Sequence, residues 1–257
     1  MWLNLERVEE RLTTGTIGRR LVYLTSTPST QDVARREAEE GAAEGTAVIA
    51  EEQTAGRGRL GRSWVSPAGK NIYLTLVLRP DLARLRILGM AAPLAVLRAA
   101  KAVTSLEPDL KWPNDVLLSG RKLAGVLIDS ELSGGEVKYA LIGIGVNVNF
   151  DVEESSDVSS IATSLKREFG RSVSREEFLA ALLNEFEDLY LSTAASAIRA
   201  AWRDRLETLG REVTVTFRGV SHEGVAEDIT PEGSLVLRCT DGSLLTIEAG
   251  EVTLRRP

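Results

Sequence analysis

The densest chemistry in the chain lies at Gln53-Thr54-Ala55-Gly56-Arg57-Gly58-Arg59-Leu60-Gly61-Arg62-Ser63-Trp64. Three arginines alternate with three glycines, and no acidic residue occurs from Gln53 to Lys70. Guanidinium forks suit phosphate and carboxylate, and glycine lets a backbone close on a ligand. The stretch has the chemistry of a lid over an anion. Its composition also fits an exposed solubilising loop or an arginine-glycine segment that touches RNA.

A second stretch, Lys111-Trp112-Pro113-Asn114-Asp115, is followed by Arg121-Lys122-Leu123-Ala124-Gly125. The first reads as a kinked connection between strands. The second opens a strand with two cations and a glycine. The plainer alternative is an Asx turn at Asn114-Asp115 and a solvated strand end at Lys122. A third stretch, Gly143-Ile144-Gly145-Val146-Asn147-Val148-Asn149, places glycines inside an apolar strand. Such glycines mark a bulge or the close approach of another group. The pattern lacks the third glycine and following helix of a dinucleotide fingerprint, so a Rossmann reading is excluded.

The elements that must position these residues follow from pattern. Strands are expected at Arg20–Leu24, Thr46–Glu51 and Asn71–Arg79, with a helix at Gln31–Glu40 after Ser29-Thr30. Leu88–Leu106 has helical length and apolar spacing, with Pro93 expected in its first turn or at a kink. Strands follow at Asp109–Trp112, Asp115–Leu118, Lys122–Leu132 and Val137–Asn149, with tight turns at Ser119-Gly120 and Gly134-Gly135. Ser174 and Glu177 form a capping-box pattern for a helix to about Tyr190, and another helix covers Ala194–Leu209. After Gly210 come five short strands, Val213–Phe217, His222–Ile229, Ser234–Cys239, Leu244–Glu248 and Val252–Leu254, with turns that include Arg218-Gly219. They suggest a small barrel. The fold class is therefore α/β (α+β): residues 1–209 form a mixed α/β domain built on hairpins, and residues 210–257 a small β-domain.

Composition narrows the class. The 257 residues are 43% hydrophobic and 26% charged, which excludes a mostly disordered chain. One cysteine, Cys239, allows no internal disulfide, and one histidine, His222, cannot supply a His-rich metal site. The longest run without a charge, Tyr139–Phe150, is well short of the roughly 20 residues of a membrane span, and no signal peptide is visible. A cytoplasmic protein without a membrane partner is expected. The net charge is −6, and residues 211–257 carry five Arg against eight Asp or Glu. Nucleic-acid binding, which needs a basic footprint, is not expected.

Together the stretches resemble the biotin protein ligases. The glycine-arginine loop is GRGRLGRSW (Gly56–Trp64), KWPND stands unchanged at Lys111–Asp115, the RKLAG motif is RKLAGVL (Arg121–Leu127), and G-x-G-x-N is Gly143–Asn147. The motifs follow the family's order, and the resemblance runs from about Val22 to the C-terminus. It implies a catalytic domain related to class II aminoacyl-tRNA synthetases and lipoate ligases, with a C-terminal SH3-like barrel. Many relatives also carry an N-terminal DNA-binding domain. Only twenty-eight residues precede Ser29, so the monofunctional form is expected. Lipoate ligase is the alternative of the same chemistry, and GRGR with KWPND favours biotin.

The implied reaction joins biotin to AMP, using ATP with Mg²⁺, and then passes biotin to a lysine of a biotin carboxyl carrier domain. Lys122 is implied between the biotin carboxylate and the α-phosphate. Arg57, Arg59 and Arg62 are implied to close over the adenylate, with Arg57 and Arg59 sharing the catalytic role. Biotin contacts are implied at Ser29, Thr30, Gln31, Gln53, Gly56, Gly58 and Gly125, besides Arg57, Arg59 and Lys122. Gln31 departs from the family's usual asparagine, and Ser29 and Thr30 could equally be ordinary N-caps. The nucleotide is assigned to Trp64, Lys111, Asn114, Asp115 and Asn147, besides Arg59, Arg62 and Lys122. No metal ligand is assigned, and relatives often form homodimers through the central sheet.

Overall fold

The structure is a computed structural model that describes residues 2–151, 160–217 and 219–254. Arg218, half of one expected turn, lies outside them. A short helix α1 (Leu5–Glu9) precedes strand β1 (Leu21–Leu24), helix α2 (Thr30–Glu39), and strands β2 (Thr46–Ala50) and β3 (Ile72–Leu78). The long helix α3 (Leu82–Thr104) leads into β4 (Asp109–Lys111), β5 (Asp115–Leu118), β6 (Arg121–Ser133) and β7 (Glu136–Val146). Helices α4 (Leu165–Phe169), α5 (Arg175–Glu187) and α6 (Ala195–Asp204) follow. Strands β8 (Glu212–Phe217), β9 (Val220–Ile229), β10 (Leu235–Cys239), β11 (Leu244–Ile247) and β12 (Glu251–Leu254) close the chain.

The first seven strands form one sheet in the order β1-β2-β3-β7-β6-β5-β4. Only β1 and β2 run parallel, joined over α2; every other pair is antiparallel. The β5–β6 hairpin turns on Ser119 and Gly120, both at positive φ (53° and 72°), the pairing a two-residue turn demands. The last five strands form a separate antiparallel sheet, β11-β10-β9-β8-β12. Its strand count meets the expectation. Among the described residues no ladder joins β11 to β12, so the expected barrel is seen there as a five-stranded sheet.

Helix α3 departs from its expected bounds. Asp81 caps it, its side chain accepting from the Arg84 amide at 2.7 Å, so the helix starts six residues before Leu88. Arg84 and Arg86 interrupt the apolar pattern there and hide the first turns. Pro93 consequently lies in mid-helix, not in the first turn. By length and composition α3 could span a bilayer, at a mean hydropathy of 1.4, which the charge-free-run argument misses. Yet 72% of that stretch is buried inside the protein, where it packs on the main sheet and α5. Helix α6 stops at Asp204, short of Leu209, because the next residues run beside the edge strand. Leu110 donates to Arg205 O and Glu207 donates to Leu110 O, both at 2.9 Å.

Ser174 caps α5 through the Glu177 amide, and Phe178, Leu182, Phe186 and Leu189 are fully buried as their spacing requires. Beside this helix a buried ion pair ties the N-terminal segment to the sheet. Arg175 meets Glu51 at 2.7 and 3.3 Å, while the Tyr23 hydroxyl and the Leu3 amide also donate to that carboxylate. Burial pushes the Glu51 carboxyl up, but the bonds from Arg175, Tyr23 and Leu3 outweigh it, and its pKa falls below the ordinary carboxylate value. Removing one partner of such a pair leaves an uncompensated buried charge, worth about 3–5 kcal/mol. Arg175→Ala is expected to cost stability on that scale in urea unfolding. The paired carboxylate stabilises the fold above its unfolded pKa. In the parent this contribution fades as the pH falls through the lowered Glu51 value; in the variant that acid limb is flattened.

Candidate active site

The motifs converge on one cavity of about 490 Å³. Its walls are the first turn of α2, Gln53 beyond β2, the glycine-arginine stretch, the β4–β5 turn, the inner ends of β6 and β7, and Gly250–Val252 from the second sheet. Every residue assigned to biotin or nucleotide from the sequence lines it except Gly56. Gly56 lies behind the wall, where a Cβ would sit 2.5 Å from Trp64 O and 2.7 Å from Ser66 Oγ.

Gly56–Trp64 is a compact hairpin. Trp64 donates to Gly56 O at 2.9 Å and Gly58 to Arg62 O at 2.7 Å, with a single turn at Arg59–Gly61 and Leu60 at φ 55°. Each arginine reaches a different element. Arg57 pairs with Asp32 of α2 at 2.5 Å, Arg59 donates to Asn114 Oδ1 at 3.0 Å, and Arg62 pairs with Glu251 of β12. Burial lowers the Arg59 pKa, with Asp115 and Glu251 opposing the shift. The Glu251 hydrogen bond and charge raise that of Arg62. The hairpin is thus folded, tied to three other elements and part of the cavity wall, unlike a free solubilising loop.

Lys122, second in β6, has its Nζ 2.6 Å from Asp115 Oδ1 and 5.5 Å from the centre of the Trp64 ring. Its backbone bonds both ways to residues 161–163. Its ammonium is therefore paired at the cavity wall, though the side chain stays partly exposed. Asn114 is more than an Asx turn: it accepts from Arg59 and its amide donates to Val126 O. Lys111 also lines the cavity wall.

The glycines of β6 and β7 make room for side chains. Gly125 and Gly145 are direct cross-strand partners, and the Trp64 ring lies on both. A Cβ on Gly145 would meet Trp64 Cε2 at 2.6 Å, and one on Gly125 would meet Trp64 Cζ3 at 3.2 Å. Gly143 serves Gln31 in the same way, with 3.0 Å to Nε2. The strand is close approach, not a bulge.

At the other end Ser29 caps α2, accepting from the Gln31 amide at 3.3 Å, so its ordinary capping role holds while it also lines the cavity. Gln53 Oε1 accepts from both the Thr30 amide (2.9 Å) and hydroxyl (3.0 Å). Gln31 Nε2 donates to Leu127 O, whereas its buried Oε1 finds no partner among the described residues. Asn147 lines the cavity too, but its amide is engaged with Thr163 O and Asn71.

Sequence reasoning missed several participants. Ser66 and Thr75 bond the Gln53–Thr30 pair but look like ordinary polar residues in the chain. Gly250, Glu251 and Glu207 come from far along the sequence. Glu207 lines the cavity without an ion pair among the described residues. Burial, with Asp109 adding, raises its pKa against Arg211 and Lys111. No group of three or more His, Cys, Asp or Glu able to hold a metal occurs among the described residues.

The seven-stranded mixed sheet and its cavity lie largely in the region that matches a family model of biotin and lipoate ligases. Residues 23–147 match the Biotin/lipoate A/B protein ligase family, and residues 208–255 match the Biotin protein ligase C terminal domain. The chain is 40% identical over 215 residues to a biotin–[acetyl-CoA-carboxylase] ligase of Paracoccus denitrificans, covering 80% of this chain and 88% of that one. It is 33% identical to the bifunctional ligase/repressor BirA of Bacillus subtilis, covering 90% and 73%. Among solved structures it superposes on the Aquifex aeolicus biotin protein ligase in complex with biotin and ATP. That match has a TM-score of 0.76 at 30% identity, over 93% of this chain and all of the other. The chain belongs to the biotin protein ligase family.

If Trp64 depends on the glycine floor, Gly145→Ala must lift its ring. The variant is expected to lose hydrogen-exchange protection across Gly56–Trp64 while the core strands β3 and β7 keep theirs. Unchanged protection in the hairpin would contradict the packing described.

Proposed function

We propose that this chain attaches biotin to a lysine of a biotin carboxyl carrier domain, using ATP and passing through biotinyl-5′-adenylate. One observation carries the reading: the three motifs, far apart in sequence, place Lys122, Asp115 and the arginine hairpin around one cavity. In the first step a biotin carboxylate oxygen attacks the α-phosphorus, and the bond to the β-phosphate breaks to release pyrophosphate. Two anions must meet, so preorganised positive charge is the main requirement. Lys122 supplies it at the reacting oxygens, and Arg57, Arg59 and Arg62 close from above. In the second step a lysine amine attacks the acyl carbon, AMP leaves with the electron pair of the C–O bond, and the amine loses its proton.

The ureido ring sits at the Gln31–Gln53 end. Its N–H groups suit the partnerless Gln31 Oε1, and its carbonyl suits the second Gln53 amide proton. Trp64 and Lys111 serve the nucleotide, with Asn147 bracing the wall behind it. Magnesium would enter with ATP and offset phosphate charge; no group of three or more metal-binding side chains occurs among the described residues, and Asp115 is a cavity carboxylate that would face it. The same reading takes residues 1–209 as the catalytic domain and 210–257 as a second domain, in a cytoplasmic enzyme that pairs through its central sheet. Lipoate is the competing acyl group, and the match of residues 208–255 to the Biotin protein ligase C terminal domain favours biotin.

Biotin-dependent exchange of pyrophosphate into ATP tests the reading; exchange supported by lipoate and not by biotin would overturn it. Lys122→Ala is expected to slow this exchange by about 10²–10³-fold with little change in thermal midpoint, since the side chain is partly exposed and fills no core space. Biotin with ATP should also raise hydrogen-exchange protection in Gly56–Trp64, because bound anions offset the repulsion among three arginines. No change there would remove the hairpin from the lid role.

A further inference from the structure

We infer that Ser66 is a positioning residue that couples the amide end of the cavity to the arginine hairpin; this rests on the biotin ligase reading above. The hydroxyl lies between two groups of fixed polarity. Gln53 Nε2, which can only donate, is 3.2 Å from Ser66 Oγ, and the Trp64 carbonyl, which can only accept, is 2.9 Å away. One hydroxyl proton satisfies both bonds in one arrangement: Ser66 accepts from Gln53 and donates to Trp64.

The chain of bonds extends further back. Thr75, fully buried on β3, donates to Thr30 Oγ1 at 2.8 Å, and Thr30 donates to Gln53 Oε1. The Gln53 amide is thus held at its oxygen by Thr30 and at its nitrogen by Ser66. The Trp64 end is equally constrained. Its amide closes the hairpin on Gly56, and its ring lies on Gly125 and Gly145 within reach of Lys122. Gly56 fills the junction so tightly that a Cβ there would strike Trp64 O, Ser66 Oγ and Gln53 Nε2 at 2.5, 2.7 and 3.2 Å. A shift of the Gln53 amide on meeting a ring carbonyl therefore passes through Ser66 to the base of the hairpin. Ser66 is 7% exposed and does not line the cavity, so it acts through Gln53 and Trp64 rather than on the ligand.

The test compares the parent with Ser66→Ala and Ser66→Thr in biotin-dependent ATP–pyrophosphate exchange, and follows hairpin hydrogen exchange with biotin alone. Loss of one neutral hydrogen bond is expected to raise KM for biotin about 3- to 10-fold in the alanine variant. KM for ATP and kcat should stay within about twofold, a split that general loosening of the fold would not give. Biotin-induced protection of Gly56–Trp64 should disappear in Ser66→Ala and return in Ser66→Thr, which keeps the hydroxyl. An unchanged KM for biotin with intact protection overturns the proposal. So does a parallel fall in every kinetic constant together with the thermal midpoint, or an alanine defect that threonine fails to rescue. A parent enzyme without biotin-dependent exchange would instead overturn the functional reading itself.

Discussion

The constraint on which the site depends is the mutual repulsion of cations gathered around one cavity. A protein of net charge −6 concentrates Arg57, Arg59, Arg62 and Lys122 around one cavity. The fold tolerates this because each cation has a local partner from another element: Asp32, Asn114, Glu251 and Asp115. Arg57, Arg62 and Lys122 are partly exposed and their pairs individually modest. Arg59 alone meets an amide rather than a carboxylate, and its lowered pKa records the burial.

The partners also tie the site together. Asp32 belongs to α2, Asn114 to the β4–β5 turn and Glu251 to the second sheet, so one hairpin touches three parts of the molecule. The second sheet is joined to the KWPND turn as well, since Trp112 Nε1 donates to Gly233 O at 2.9 Å. Its Val252 and Gly250 complete the cavity wall. The small sheet is thereby part of the site.

Beneath these charges lies a floor set by space. Paired glycines on β6 and β7 leave a groove that the Trp64 ring fills, and Gly143 leaves room for Gln31. Cross-strand pairing puts Gly125 opposite Gly145, so two motifs distant in sequence form one surface. The apolar neighbours Val126, Ile144 and Val146 are buried in the core cluster that also contains α3.

Much of this was legible from residues alone. Alternation of glycine and arginine left an anion lid and an exposed loop as alternatives, while the order of four motifs declared the family. Apolar periodicity located most strands and the face of α5, because a two-residue or 3.6-residue period needs only local sequence. The start of α3 was hidden because arginines near its N-terminus mimic a loop, and the end of α6 because a tertiary pairing with β4 unwinds it. Ser66, Thr75, Glu207 and Glu251 could not be read at all. Their significance lies in which polar atom they face, and that is settled by strand register and by packing across separations of up to 189 residues. The chain specified which chemistry was present; tertiary structure decided which donor met which acceptor, because hydrogen-bond polarity is a property of contacts and not of residue types.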